Sequence, residues 1–149
     1  TGFIAMHTGI AAGAEYVMVP ERREHVDGLV RVLENRSKGK GSSIVVVAEG
    51  DQEGGAFKLA EVVKARCPQF DIRVSVLGHL QRGGNPTVTD RVMASRLGAA
   101  AVDGLIRGED HRVVGIVNGK VCFTPHAEAI AAKKTIEPDL FRLLPMLAI

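Results

Sequence analysis

Arg73, His79 and Arg82 lie close together in the chain and run directly into Gly83-Gly84. A guanidinium offers a two-pronged fork to a phosphate. An imidazole donates to a phosphate oxygen or a sugar hydroxyl. Paired glycines let a ligand approach the backbone. This set therefore suits a phosphate ester. The same residues would equally make a glycine turn with three solvated polar groups, and spacing alone leaves both readings open. Glu49 follows the apolar run Val45-Val46-Val47-Ala48. Just beyond a buried strand, its carboxylate can accept from sugar hydroxyls or cap the next turn. In open α/β sheets ligands bind past the carboxyl ends of strands, where both groups would stand.

Other candidates are weaker. Asp51 and Glu53 share a glycine-rich loop, where two carboxylates are more often solvated than metal-bound. Arg36-Ser37-Lys38-Gly39-Lys40-Gly41-Ser42 suits an anion cradle, or a solvated helix end complementing the helix dipole. Gly13-Ala14-Glu15 reads first as a helix-terminating turn. His7, His25, His111 and His126 are scattered and read as structural or surface groups. Gly115 to Lys120 imitates a phosphate-binding Walker loop. It is one residue short, Val121 replaces the Ser/Thr, and the segment reads as a hairpin. No GxGxxG occurs, and no acidic pair is well placed for Mg²⁺-assisted phosphoryl transfer.

The elements that must hold these groups alternate between helix and strand. Helical patterns cover Phe3–Ala12, about His25–Arg36, and a stretch around Phe57 ending near Cys67-Pro68. Tyr16–Val19, Ser43–Val47 and Ile72–Leu77 read as strands. The β-branched run at 43–47 lacks alternation, as in a parallel strand covered on both faces. Asn85-Pro86 resembles a helix start, with Asn as N-cap, leading to about Ile106. Val113–Val117 and Lys120–Phe123 joined by Asn118-Gly119 predict a hairpin with a type I′ turn. Helices over about His126–Lys133 and Pro138–Leu147 follow. The order predicts an α/β fold with a layered, mainly parallel sheet and flanking helices.

Composition excludes several classes. With 149 residues, 46% hydrophobic and 24% charged, the chain is neither disordered nor collagen-like. Such a length buries about 70% of the unfolded surface. A net charge of +2, 4% aromatics and no Trp give no reason to expect nucleic acid. No apolar run approaches the roughly 18 residues of a membrane span, and no signal peptide is visible. Cys67 and Cys122 stand far apart with no CxxC; they could pair, but read first as two buried free thiols of a cytosolic protein. The chain opens at Thr1 and turns apolar at once, which suggests a fragment.

Taken together, Gly13-Ala14-Glu15-Tyr16 with Pro20-Glu21, Val47-Ala48-Glu49-Gly50, Leu77-Gly78-His79-Leu80-Gln81-Arg82-Gly83-Gly84-Asn85-Pro86-Thr87 and Asp90 to Gly98 resemble bacterial-type 6-phosphofructokinase. The likeness covers essentially the whole chain but only the C-terminal half of the family's. It implies part of a two-lobe phosphofructokinase-like fold. It further implies transfer of a phosphoryl group to fructose 6-phosphate, giving fructose 1,6-bisphosphate in glycolysis. The donor would be ATP, or pyrophosphate in some members. Mg²⁺, ATP and the catalytic Asp base would be held mainly by the half not present, so no residue here is assigned a catalytic role.

By the same resemblance Glu49 and Arg82 would contact the sugar. Arg73 and His79 would hold the 6-phosphate, Arg73 reaching into a neighbouring subunit's site. Gly13 and Glu15 match positions that hold the metal of an ADP or phosphoenolpyruvate effector, Gly13 through its carbonyl. Lys38 and Lys40 match basic residues on effector phosphate, although Lys38 stands where Arg is common. Residues 1–78 and 129–149 would belong to the smaller, sugar-binding lobe and 79–128 to the larger, nucleotide-binding lobe. A cytoplasmic homotetramer, binding neither nucleic acid nor membrane, is implied. A stand-alone sugar-phosphate or effector-binding module, and part of a pyrophosphate-dependent relative, are the alternatives.

Overall fold

The structure, a computed structural model, describes residues 1–22, 26–35, 41–50 and 54–147. Its elements are α1 (Phe3–Ala11), β1 (Tyr16–Met18), α2 (Val26–Glu34), β2 (Val45–Val47), α3 (Gly55–Arg66), a 3-10 turn (Gly78–Arg82), α4 (Val88–Ile106), β3 (Arg112–Val117), β4 (Lys120–Pro125), α5 (His126–Ala131) and α6 (Pro138–Leu147). It divides into two units, one of residues 1–76 and 135–149, the other of residues 77–134.

The first unit is a three-layer α/β/α arrangement. β1 and β2 pair in parallel, Tyr16 opposite Val45, Val17 opposite Val46 and Met18 opposite Val47. Parallel strands need a crossover, and α2 supplies it. The strand period of two sorts the side chains of the sheet. Val17 and Val19 join Met6, Ala48, Ile136 and Leu144 in one core, with Phe3 and Phe141 packed against it. Met18 turns the other way, into a core with Leu29, Leu33, Leu59, Val63 and Cys67. α1 and α6 thus cover one face, α2 and α3 the other. α1 stops as its glycine predicts. Gly13 has φ of +65°, its N–H donates to the Ile10 carbonyl, and the Ala14 N–H donates to the Gly9 carbonyl. This is the Schellman pattern, which favours a residue without Cβ. Both thiols are free; Cys67 is buried and Cys122 only half-buried.

The second unit is α4 against an antiparallel hairpin. β3 pairs with β4 through Val117 opposite Lys120, and Asn118 and Gly119 have φ of +50° and +76°. Both signs are those a type I′ turn requires. A Cβ at Gly104 would lie 2.5 Å from Phe123 Cε1, so the hairpin approaches α4 where the helix has no side chain.

Three expectations need correction. Ile72–Leu77 forms no strand, because no described segment pairs with it, although the alternation persists: Ile72 and Val74 are half-buried between exposed Asp71, Arg73 and Ser75. β2 is half-buried rather than covered, since β1 is its single neighbour among the described strands. α4 begins at Val88 with Thr87 as N-cap, not at Asn85-Pro86. The Thr87 N–H and Oγ1 each donate to Asp90 Oδ2 at 2.8 Å, and the Asp90 N–H donates to Thr87 Oγ1 at 3.2 Å. This capping box satisfies the Thr87 and Asp90 backbone N–H groups reciprocally.

Those bonds hold the Asp90 carboxyl below its usual value, the Thr87 backbone N–H first and its hydroxyl second. The folded form therefore favours the carboxylate. Its stabilising contribution is present above the unfolded value of about 3.9 and is lost as pH falls through the lowered folded value. The protection factors of amides in the first turn of α4 should fall as pH drops through that window and stay flat in Asp90→Asn. Thr87→Ala should cost about 1 kcal/mol at the cap at neutral pH. An Asp90→Asn chain with the unmutated pH profile would exclude this account.

Candidate functional site

The four sugar-phosphate candidates divide between the units. In the first, Glu49 is exposed in the turn that ends β2, where a parallel strand delivers its next residue to the sheet's carboxyl edge. Arg73 lies in the unpaired segment after α3. Its Nε is 3.4 Å from Asp71 Oδ2, with both side chains more than four-fifths exposed. Such an exposed pair contributes about 0–1 kcal/mol, so Asp71 orients the guanidinium without sequestering it.

In the second unit His79 and Arg82 both sit on the 3-10 turn Gly78–Arg82. Residues three apart eclipse on a 3-10 helix, about 6 Å apart along the axis. His79 and Arg82 thus share one exposed face. Gly78 and Gly83 bracket the turn with φ of +51° and +87°. The spacing of His79 and Arg82 is legible in sequence, but the turn that aligns them is not. A 3-10 turn of five residues has too few positions for a periodic signal. The groove between α4 and the hairpin, lined in part by Ala101, Leu105, Arg112 and Phe123, contains none of the four.

The effector candidates fare differently. Gly13 occupies the tight turn described above. Glu15 is buried at 7% exposure; its Oε2 accepts from the Ile44 N–H at 2.5 Å, and its own N–H donates to the Ile44 carbonyl at 2.9 Å. The carboxylate therefore ties the start of β1 to the segment leading into β2. Sequence reasoning gave Glu15 no such role, because a carboxylate at a turn carries no periodic sign of burial. Lys38 and Lys40, like Asp51 and Glu53, lie outside the described residues. Among the described residues, no three His, Cys, Asp or Glu side chains converge as a metal site, and no helix is long and apolar enough to cross a membrane.

Comparisons with known proteins give one consistent result. A family model described as Phosphofructokinase matches residues 1–105. ATP-dependent 6-phosphofructokinase 2 of Bacteroides thetaiotaomicron is 45% identical over 149 residues, covering 99% of this chain and 46% of that protein. ATP-dependent 6-phosphofructokinase 1 of Thermus thermophilus is 48% identical over the same length, with the same coverage. An ATP-dependent 6-phosphofructokinase of Cytophaga hutchinsonii is 44% identical over 144 residues, 96% of this chain and 44% of that protein. The chain spans less than half the length of these curated relatives.

Proposed function

The chain belongs to the phosphofructokinase family, and on that premise we propose that it is the sugar-phosphate-binding portion of an ATP-dependent 6-phosphofructokinase. The relatives' names supply the reaction class. The observation that carries the assignment to this chain's own residues is the shared exposed face of His79 and Arg82 on one 3-10 turn. His79 there meets the 6-phosphate of fructose 6-phosphate through a charge-assisted hydrogen bond, and Arg73 does so at a neighbouring subunit's site. Glu49, at the end of β2, accepts from sugar hydroxyls, and Arg82 helps to position the sugar. None of these groups is asked to move a proton. Their contribution is to bind and orient the substrate, so that its 1-hydroxyl meets a donor held elsewhere. ATP with Mg²⁺ supplies the phosphoryl group and neutralises charge on it.

The test is a chimera in which this chain replaces the matched stretch of the Thermus thermophilus relative. It should form fructose 1,6-bisphosphate from fructose 6-phosphate and ATP. A folded chimera that binds ATP but not fructose 6-phosphate would reject the assignment. One that works with pyrophosphate instead of ATP would favour the pyrophosphate-dependent reading.

Regulation is a second part of the proposal. Gly13 and Glu15 offer one carbonyl and one carboxylate, which suits a Mg²⁺ whose other positions are water or effector phosphate. The Ile44 hydrogen bond already occupies one Glu15 oxygen, so this carboxylate acts first as a clamp on the chain leading into β2. Lys38 and Lys40 would attract the phosphates of ADP or phosphoenolpyruvate. Lys38→Ala with Lys40→Ala in the chimera should weaken the effector response and leave the maximal rate nearly unchanged, as neither ammonium meets transition-state charge. A large fall in maximal rate with the effector response intact would place these lysines at the active site. The lobes, the homotetramer and the cytoplasmic location implied by the resemblance belong to the same proposal.

A further inference from the structure

A second carboxylate, Glu21, stands at the same sheet edge as Glu49, and the sugar site as proposed does not use it. The parallel pairing continues past the strands, where the Ala48 N–H donates to the Met18 carbonyl at 2.9 Å. Met18 lies opposite Val47, so the same register brings Pro20 beside Glu49 and Glu21 beside Gly50. A Cβ at Gly50 would stand 3.3 Å from Pro20 Cγ and 3.7 Å from the Thr1 nitrogen. The Glu49-Gly50 turn therefore touches both the segment leaving β1 and the segment entering α1.

Gly2 is buried and is the N-cap of α1, where backbone N–H groups lack an intrahelical acceptor. Glu21 supplies one. The Gly2 N–H donates to Glu21 Oε1 and Oε2, each at 2.9 Å. A negative charge there also complements the positive end of the helix. A Cβ at Gly2 would overlap Val19 and stand 2.6 Å from Glu21 Oε2, so only glycine permits this approach. The residue after Glu21 is anchored in turn. The Arg22 N–H donates to the Val19 carbonyl at 3.3 Å, and its guanidinium lies over the Phe141 ring, 5.2 Å from the centroid.

We infer that Glu21 is a positioning residue for the sugar site. Its carboxylate holds Gly2, Gly2 holds Thr1 against Gly50, and Gly50 fixes where Glu49 presents its own carboxylate. Both acidic residues stand beyond the carboxyl ends of neighbouring parallel strands, the edge where α/β sheets bind ligands. They differ in employment. Glu21 gives both oxygens to one backbone N–H, whereas Glu49 is exposed in its turn. Glu21 acts through Gly2 and Gly50 and touches no substrate. The inference rests on the reading of Glu49 as a sugar contact.

Glu21→Ala and Glu21→Gln are placed in the Thermus thermophilus chimera. Val63→Ala, which loosens the core under α3 on the other face of the sheet, is the control. Glu21→Ala removes the acceptor and should raise the KM for fructose 6-phosphate about tenfold, within the roughly 100-fold that an ångström of misplacement can cost. The KM for ATP and kcat should each change less than about twofold, the pattern of a lost binding contact. Glu21→Gln keeps one acceptor oxygen and should recover most of the affinity. Val63→Ala should lower the melting temperature and leave the KM for fructose 6-phosphate unchanged. Hydrogen exchange of residues 46–50, followed in the same proteins, should be about fivefold faster in Glu21→Ala and unchanged in Val63→Ala. An unchanged KM for fructose 6-phosphate in Glu21→Ala, or an equal rise for ATP, would overturn the inference and leave the sugar site standing. So would a Glu21→Gln chimera as weak as Glu21→Ala, or a Val63→Ala chimera that loses fructose 6-phosphate to the same degree. Faster exchange at residues 46–50 in Glu21→Ala, beside an unmutated chimera that binds no fructose 6-phosphate, would uphold the hold of Glu21 on the Glu49 turn while rejecting the sugar-phosphate site.

Discussion

The isolated 149-residue chain should form no detectable fructose 1,6-bisphosphate from fructose 6-phosphate and ATP. Two observations motivate this. The sequence holds no GxxxxGK[ST] or GxGxxG loop in which backbone N–H groups could cradle a triphosphate. The second unit, which carries His79 and Arg82, buries one residue of its own and so holds its binding turn on a poorly supported scaffold. A site one ångström too loose forfeits much of the advantage of positioning. The check is a coupled assay on the purified chain, beside the chimera at equal concentration. Turnover by the chain at even a hundredth of the chimera's rate would show that the donor site is present here and would overturn the division of labour proposed.

Arg73→Ala in the chimera should weaken fructose 6-phosphate by about 10- to 150-fold, the loss of a charge-assisted bond costing roughly 1.5–3 kcal/mol. The guanidinium is exposed. Among the described residues it pairs with Asp71, at 3.4 Å and in an exposed setting. Truncation should therefore leave the fold intact, and the loss should appear in substrate affinity. Asp71→Ala is the matching control. It removes a weak competitor for the guanidinium and should change affinity less than threefold if Asp71 only orients the group. Arg73→Lys should recover part of the loss, because the charge remains while the two-pronged geometry goes. Titration of the sugar phosphate and, separately, of ATP distinguishes the outcomes. Unchanged fructose 6-phosphate affinity with weakened ATP would move Arg73 to the donor side.

Local chemistry was legible wherever a short stretch of sequence suffices. Asn118-Gly119 specifies a type I′ turn because both residues must have positive φ, and both do. Gly13 ends α1 for the same reason. The apolar run ending at Val47 announced a parallel strand, and β2 is one. The helix periodicities placed α2 and α6 within a few residues. The start of α4 departs from the Asn85-Pro86 expectation because two caps compete within three residues. The Thr87–Asp90 box makes three hydrogen bonds, two of them to backbone N–H groups.

By itself, then, the sequence determined the element types, the turns and the residues able to meet a phosphate, since these depend on backbone sterics and on functional groups a few positions apart. Tertiary structure alone decided three further matters. The stretch Ile72–Leu77 has strand-like alternation, but a strand exists only where another segment supplies its hydrogen bonds, and no described segment does. Glu15 is buried because Ile44, far away in the chain, offers it an N–H. The two apolar faces of α4 look alike in sequence; one meets Phe123 from the hairpin, while Val88, Val92, Val102 and Ile106 on the other are exposed. Each depends on which distant groups arrive, and burial and pairing are properties of that meeting rather than of the residues themselves.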